Sequence, residues 1–338
     1  MIARNIKVKV LYNAKDISED LAKYLKAVTY NDVMSGCADD VSLTLEDMTE
    51  LWEGDWLPEK GATLTISLIS QNWAADDEGE KQLDLGIFEI DEIEMTGGPH
   101  EVKIKAVSVP DNNTLRGVER NRSWEKTKLS VILRDVAVGA EMEPYYGVDD
   151  DPELDRAEQT EESDLAFLLR LCKDAGLALK ITDGRIVVFD EAEYEQQEPV
   201  ATIQREGSNI KSYQIRSKTR DIYKACRVKY ANPKKGINIE YTFTPDASKT
   251  GKVLQVNEQV ESIAAAEKLA KKKLREKNCE ETTIGLTLMG SFDLLAGNTV
   301  TLKGFHSFDG KYIITKGSHS IGGGYGLSVD LRRCLNGY

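Results

Sequence analysis

The chain has 338 residues, 41% hydrophobic and 30% charged, which is enough for roughly two to three domains with buried cores and excludes disordered and fibrous classes. Its 57 carboxylates against 44 bases leave a net charge of −13, the wrong footprint for sequence-specific nucleic-acid binding. No stretch has the length or apolarity of a signal peptide or a membrane span, so no membrane anchor is expected, and five scattered cysteines without a CxxC pair predict reduced thiols, with neither a disulfide framework nor a zinc site.

Residues 1–110 read as strands. Ile6-Val8-Val10, Val41-Leu43-Leu45, Leu64-Ile66-Leu68 and Val102-Ile104-Ala106 each alternate with polar neighbours, which predicts sheets with one buried and one wet face. The acidic segment Ala74–Lys81 reads as an exposed loop between strands. Residues 111–205 read as a small α+β unit. Lys128–Val138 presents Leu129, Ile132, Leu133 and Val136 on one helical face, with Thr127 as its cap and Gly139 as its stop. After an acidic run, Glu141–Asp164, with eleven carboxylates and one base, comes a helix over Asp164–Ala175. Its apolar stripe is read as Leu165, Leu168, Leu169 and Cys172, with Ser163 capping it and Gly176 ending it. A hairpin, Leu177–Ile181 and Arg185–Phe189, turns at Asp183-Gly184, a pair suited to the positive φ angles of a type I′ turn. Residues 206–338 return to strands, interrupted by one helix over 262–277 with Ile263, Ala266, Ala270 and Leu274 inward.

The two strand-rich stretches echo each other. Gly61 opens an alternating strand to Leu68, followed by Gly86-Ile-Phe-Glu-Ile90, a Gly97-Gly98 turn and the strand Val102–Ala106. Gly297 opens a strand to Lys303, followed by Gly310-Lys-Tyr-Ile-Ile314, a Gly322–Gly324 turn and the strand Leu327–Leu331. The shared order reads as a duplicated barrel. Two similar domains per chain around a three-fold axis make six similar wedges, which can stack on a six-fold ring while presenting a three-fold face elsewhere, a structural role requiring no catalytic residue.

Gln159-Thr-Glu-Glu-Ser-Asp-Leu-Ala-Phe-Leu-Leu-Arg-Leu171 resembles the signature of the phage late control D family, the baseplate hub proteins of contractile tails. Within it and just after it, Glu162, Ser163, Asp164, Phe167, Leu168, Arg170 and Gly176 carry the likeness. Ser217–Tyr230, with Thr219 and Tyr223, resembles the family's second block, and Ala264–Asn278 its lysine-rich helix. Gly290–Val300, Phe308–Ile314 and Gly322–Arg333, with Gly297, Gly310 and Tyr312, resemble its C-terminal barrel. The likeness covers residues 115–338 well and residues 1–110 only in pattern. It implies a mainly β fold with an α+β insert: two tail-tube-like antiparallel β-barrels, residues 1–110 and 206–338, flanking the α+β domain 111–205. It further implies a homotrimeric structural hub of a phage tail, bacteriocin (tailocin) or other contractile injection particle. Such a hub is made in the bacterial cytoplasm, assembles into the baseplate and contacts the tail tube ring, the central spike and other baseplate proteins. Because the sequence ends directly after the second barrel, spike or hydrolase domains are expected on separate chains. The net charge predicts an acidic or mixed lining for the channel.

Several residue sets admit sharper readings. Glu161, Glu162 and Asp164 are candidates for a glycoside-hydrolase acid/base pair; three acids in a helix's first turn are better read as complementing its dipole. Gly322-Gly323-Gly324 reads as a hairpin turn, because no helix follows to cradle a phosphate. His306 and His319 are a conceivable metal pair without a third ligand, and with His100 are read as partly exposed strand-end histidines. No GxSxG elbow or other nucleophile motif is present. No catalytic residue, metal site or cofactor is therefore assigned, and the chain is read as not an enzyme; a tail-associated peptidoglycan hydrolase and a carbohydrate- or peptide-binding module are the alternatives. Trp52, Trp56 and Trp73 are read as packing residues before sugar binders. Lys211–Lys235, with nine bases and one acid, is open to three readings: a nucleic-acid patch, a solvated strand face, or a contact with the acidic Glu141–Asp164 segment of a neighbouring chain.

Overall fold

The computed structural model describes residues 4–109, 115–151, 153–207, 210–232 and 236–338. The expected 110/111 boundary, and Lys234 and Lys235 of the basic run, lie outside the described residues. The chain separates into two units: Met1–Glu191 with Thr287–Ala296 and Thr315–Val329, and Ala192–Leu286 with Gly297–Ile314 and Asp330–Tyr338. The fold is mainly β, with five α-helices among the described residues.

The first unit begins with β1 (Asn5–Tyr12), β2 (Lys15–Asp16), a one-turn α1 (Ser18–Leu21), β3 (Leu25–Val33), β4 (Asp40–Glu46), β5 (Thr63–Gln71), β6 (Glu80–Gly97) and β7 (His100–Val107). The alternating runs pair apolar against apolar: Val8 with Leu68 and Val10 with Ile66, Leu43 with Ile104 and Leu45 with Val102. This register puts one side-chain set of every strand on one face, which the core then covers. The antiparallel order is β3-β4-β7-β6-β5-β1-β2, and Lys316–Ile321 pairs with β3 on its free side. Among the described residues no pairing closes this order into a barrel. The core runs from Val10 and Val28 through Leu43, Ile66 and Phe88 to Ile104 and Tyr325, with Trp52 buried in it. The 74–79 segment is irregular as expected; Glu80 and Lys81 already belong to β6.

An α+β insert follows: β8 (Glu119–Lys128), α2 (Leu129–Gly139), β9 (Glu143–Tyr146), β10 (Glu153–Ser163), α3 (Asp164–Ala175), β11 (Ala178–Thr182) and β12 (Arg185–Phe189). The β8–β10 ribbon stands apart from the sheet β11-β12-β9, and α2 and α3 help enclose a second core around Ile132, Phe167, Leu168, Ile181 and Val188. The cap of α3 is as read: the Ser163 hydroxyl accepts from Ala166 N at 3.3 Å and Gly176 takes φ 80°. Asp183 and Gly184 both have positive φ at the hairpin.

Three local expectations are corrected here. Thr127 does not cap α2, because it is paired with Leu154 in the ribbon; instead the Asp151 carboxylate accepts from Ser130 N (3.1 Å) and from the Ser130 hydroxyl (2.7 Å). A carboxylate delivered from the acidic run thus serves the helix N-terminus. Gly139 is the last helical residue, and Ala140 closes the turn. The buried stripe of α3 is centred on Phe167, Leu168, Leu171 and Cys172, with Leu165 and Leu169 on its flank, because Phe167 turns the helix toward Trp124.

The second unit holds α4 from Ala192 onward (Glu191–Gln196 in full), β13 (Ala201–Gln204), β14 (Ile210–Ser217), β15 (Ala225–Asn232), β16 (Ile237–Phe243), β17 (Val253–Val256) and α5 (Ile263–Asn278). Of β18 (Thr282–Met289), β19 (Thr299–Lys303), β20 (Gly310–Ile321) and β21 (Tyr325–Arg333), only β19 lies wholly within it. Ala266, Ala270 and Leu274 of α5 pack on the β16-β15-β17 sheet with Cys226, Val228 and Phe243. Alanines at four-residue spacing allow that close approach. Ile263, expected inward, is 63% exposed: it falls on the same helical arc but in the first turn, ahead of the packed segment. Ser262 caps the helix through Ala265 N at 3.1 Å.

The sequence echo is a structural one. Thr63–Glu89 of β5/β6 and Thr299–Ile313 of β19/β20 form antiparallel pairs in which Leu64 faces Phe88 and Val300 faces Tyr312. At the mouth of the first, Gly61 N donates to Ile90 O (2.9 Å) and Ile90 N to Ala62 O (3.0 Å); in the second, Gly297 N donates to Ile314 O (2.8 Å) and Ile314 N to Asn298 O (2.9 Å). Gly61 and Gly297 have φ 81° and 92°, a region side chains avoid. Gly86 (φ 104°) makes the bulge in the first copy, where a Cβ would sit 3.3 Å from Asp183 Cβ.

Candidate functional site

The signature residues converge on a polar junction between β8, β10 and α3. Asp164 opens α3 and is buried, and the alternation of β8 aims Arg120, Arg122 and Trp124 toward it. Arg122 Nη2 and Gln159 Nε2 (2.8 Å) both donate to Asp164 Oδ1, and Arg120 Nε lies 3.6 Å from Oδ2. Phe167 stacks on Trp124 with centroids 5.2 Å apart, and Arg122 covers the indole while Arg170 covers Phe167. Arg170 also binds the Glu162 carboxylate and Glu158 O (2.7 Å); this ion pair raises the pKa of the guanidinium. The first-turn reading of the acids holds for Asp164 alone. Glu161, at φ 49°, and Glu162 belong to the end of β10, because the cap falls at Ser163. Leu168 lies in the core. A cavity of about 600 Å³ beside the junction is lined by Leu129, Arg156, Glu158, Glu162, Arg170 and Asp174, among others. Two of its carboxylates are engaged by arginine, Glu158 by Arg156 and Glu162 by Arg170, and Asp164 does not line it.

The other signature residues lie in the second unit and form separate joints. Tyr223 is held at its backbone by Asn278, whose Oδ1 accepts from Tyr223 N (3.0 Å) and whose Nδ2 donates to Tyr223 O and Tyr338 OH (both 2.7 Å). Thr219 is exposed in the turn before β15. Tyr312, buried opposite Val300, donates to Phe308 O (2.7 Å) and accepts from Arg333 Nε (3.2 Å), while Arg333 Nη2 also binds Ser307 O and Asp309 O. Arg333 so pins the 305–309 turn that precedes Gly310.

Two buried ion clusters escaped the sequence reading. In the first unit, Lys180 of β11 lies 2.5 Å from Asp32 Oδ1 and 3.2 Å from Asp39 Oδ2. Burial pushes the Asp39 carboxyl up to about 6 even though Lys180 pulls it down; burial works to lower Lys180, and the two aspartates outweigh it and raise it. In the second unit, Glu195 of α4 receives Arg332 and Arg275 (2.5 and 3.3 Å) and Leu335 N (2.9 Å). The signal for the first was a single ionisable residue between apolar neighbours, Lys180 between Leu179 and Ile181, whereas Arg332 stands beside Arg333 and carried no such mark; the partners lie 148 and 137 residues away.

His319 corrects the expected partial exposure: two residues before the end of β20, it is 0% exposed and stacks on Tyr325. Tyr325 OH donates to Ser291 O (3.1 Å) and so accepts from His319 Nδ1 (2.7 Å), which assigns the proton to Nδ1 and leaves Nε2 bare. Burial lowers its pKa to about 4. Because the unfolded chain takes up this proton first, stability is expected to fall as pH drops from about 6.5 toward 4, by on the order of 3 kcal/mol. His319→Gln should flatten that limb in denaturant titrations. Asp39 contributes the opposite slope over pH 4–6, so the limb is compared with and without His319→Gln in an Asp39→Asn background, and a fall that persists after His319→Gln is added would sink the assignment. His306 and His100 are exposed, and no metal-ligand group of three or more His, Cys, Asp and Glu residues occurs among the described residues. Gly322–Gly324 form the turn into β21, and Trp73 Nε1 donates to Gly290 O (2.8 Å). Trp52 and Trp56 pack edge to face 5.5 Å apart. No helix among the described residues is long and apolar enough to cross a membrane.

A mainly β chain with an α+β insert is a fold that solved tail proteins share. Over 97% of both chains it is similar to a tail protein from Neisseria meningitidis MC58, with TM-score 0.71 and 14% identity. Over 99% of this chain and 78% of the other it is similar to an E. coli protein that is a component of the type VI secretion system, with TM-score 0.60 and 11% identity. The family model for the phage tail baseplate hub (GPD) matches residues 54–325, and the chain belongs to that family. A probable baseplate hub protein of Escherichia phage 186 is 29% identical over 179 residues, spanning 52% of this chain and 42% of the relative. The chain thus matches less than half the length of that relative.

Proposed function

We propose that this chain is the structural hub of a contractile tail or tail-like injection particle, acting as a homotrimer and without catalysis of its own. Three chains with two tube-like modules each, residues 1–110 and 206–338 around the 111–205 insert, supply six similar wedges for a six-fold tube ring and a three-fold seat for a central spike. The observation that carries this is the duplicated hairpin: the same register, the same glycine positions and the same pair of mouth hydrogen bonds in both copies. Tube, spike and other baseplate proteins are then its partners, synthesis is cytoplasmic, and the channel wall is acidic or mixed in charge. The signature residues Glu162, Ser163, Asp164, Phe167, Leu168, Arg170, Gly176, Thr219, Tyr223, Gly297, Gly310 and Tyr312 serve the folding of the joints.

Light scattering over a concentration series tests the reading. One chain weighs 37.7 kDa, and a particle of three chains is expected. A species that remains a single chain at every concentration, alone and with a spike protein added, would overturn it.

A further inference from the structure

β14 is an unusual strand. It pairs with β18 alone, so one edge is open among the described residues, and six of its eight positions are exposed, on both faces. Its exposed side chains include Lys211, Arg216 and Tyr213, the last 43% exposed and covered by the Arg205 guanidinium at 5.3 Å. No carboxylate lies within ion-pair distance of Lys211 or Arg216 among the described residues. An open, cationic edge with a Tyr–Arg stack has the composition of an interface centre.

The β8–β10 ribbon is its complement. It is a two-stranded sheet paired with no third strand, and Glu153, Asp155 and Glu161 of β10 and Glu119 and Glu125 of β8 are exposed without an ion-paired base among the described residues. Main-chain pairing along β10 is hindered by the bulge between Gln159 and Glu162 and by Arg170 on Glu158 O, so charge and not strand addition is what the ribbon offers.

We infer that β14 is the docking surface for the acidic β8–β10 ribbon of a second copy of this chain, a contact that rests on the trimeric hub reading and names its surfaces. The two patches differ, so the contact is head-to-tail: each chain gives one and receives one, and a closed ring leaves neither open. Exposed ion pairs are individually weak, but a set of them selects partner and register and makes assembly salt-dependent.

Two charge reversals and their combination test this on the full chain. Lys211→Glu/Arg216→Glu and, separately, Glu153→Lys/Asp155→Lys are each expected to raise the dissociation constant of self-association at least tenfold at low salt, and the chain carrying all four should recover it. Sedimentation gives the mass, and unchanged far-ultraviolet circular dichroism verifies folding. Reversed variants that assemble like the wild type would overturn the surface while leaving the trimer standing. Weakened variants that the fourfold change fails to rescue would overturn the pairing. A wild type that never self-associates would overturn both the trimer and this contact.

Discussion

Glu195→Ala is expected to lower stability by about 3–5 kcal/mol, among the largest effects of any single substitution in the second unit. The carboxylate is shared by Arg332 and Arg275, and it also holds Leu335 N. Removing it takes from one buried and one nearly buried guanidinium the carboxylate they share, which costs far more than the ion pair contributed. The companion variant separates the two. Glu195→Leu combined with Arg275→Met and Arg332→Met removes these three charges at once and should recover most of the loss. Denaturant midpoints for the single and triple variants would decide it; a single substitution costing less than about 1 kcal/mol would show that water reaches the arginines.

What the sequence disclosed follows the range of the interaction. The alternating strands of residues 5–107 were legible because each carries one wet face, and the α3 boundaries were legible because Ser163 and Gly176 act on their own turn. The hairpin echo was legible because its glycines and aromatics mark positions of fixed register. The cap of α2 was not, since Asp151 reaches it from 21 residues away while the local Thr127 is committed to a ladder. His319 was misread because nothing beside it in sequence announces that Tyr30 and Tyr325 enclose its ring. The junction around Asp164 was half legible: the acid stood out, but its arginines sit about forty residues earlier, in a β8 alternation whose inward set is charged instead of apolar. Patterns of apolar residues report faces, and they are silent on where a buried charge finds its partner.

That silence matters most at Lys180, where the second large effect is expected. β11 is tied to the first sheet's turn by Gly36 N to Leu179 O (3.1 Å), by a parallel bridge between Ala38 and Ile181, and by the Ser108 hydroxyl to Ile181 O (2.9 Å). Lys180 is the cation between these bonds, and Asp32 also accepts from Ala296 N (2.7 Å) while Asp39 accepts from Val33 N (2.9 Å). Lys180→Met leaves two buried aspartates facing each other, with an expected loss of about 3–5 kcal/mol at pH 7.5. The pH dependence fixes the cause. With its pKa raised from 3.8 to about 6, Asp39 binds protons more tightly folded than unfolded, so its contribution to stability falls as pH rises through that interval. Without Lys180 the interval extends upward, because the charge that pulled the Asp39 pKa down is gone. The deficit of Lys180→Met should therefore be greatest at alkaline pH, shrink on acidification toward about 6 as Asp39 protonates in the variant ahead of the wild type, and level off below that. Lys180 itself, with its pKa raised, contributes in the wild type at all pH values below about 10.5 and is lost only above that. A deficit independent of pH between 5 and 8 would assign the loss to packing of the lysine stem instead, and Lys180→Arg, which restores a cation, would then fail to recover it.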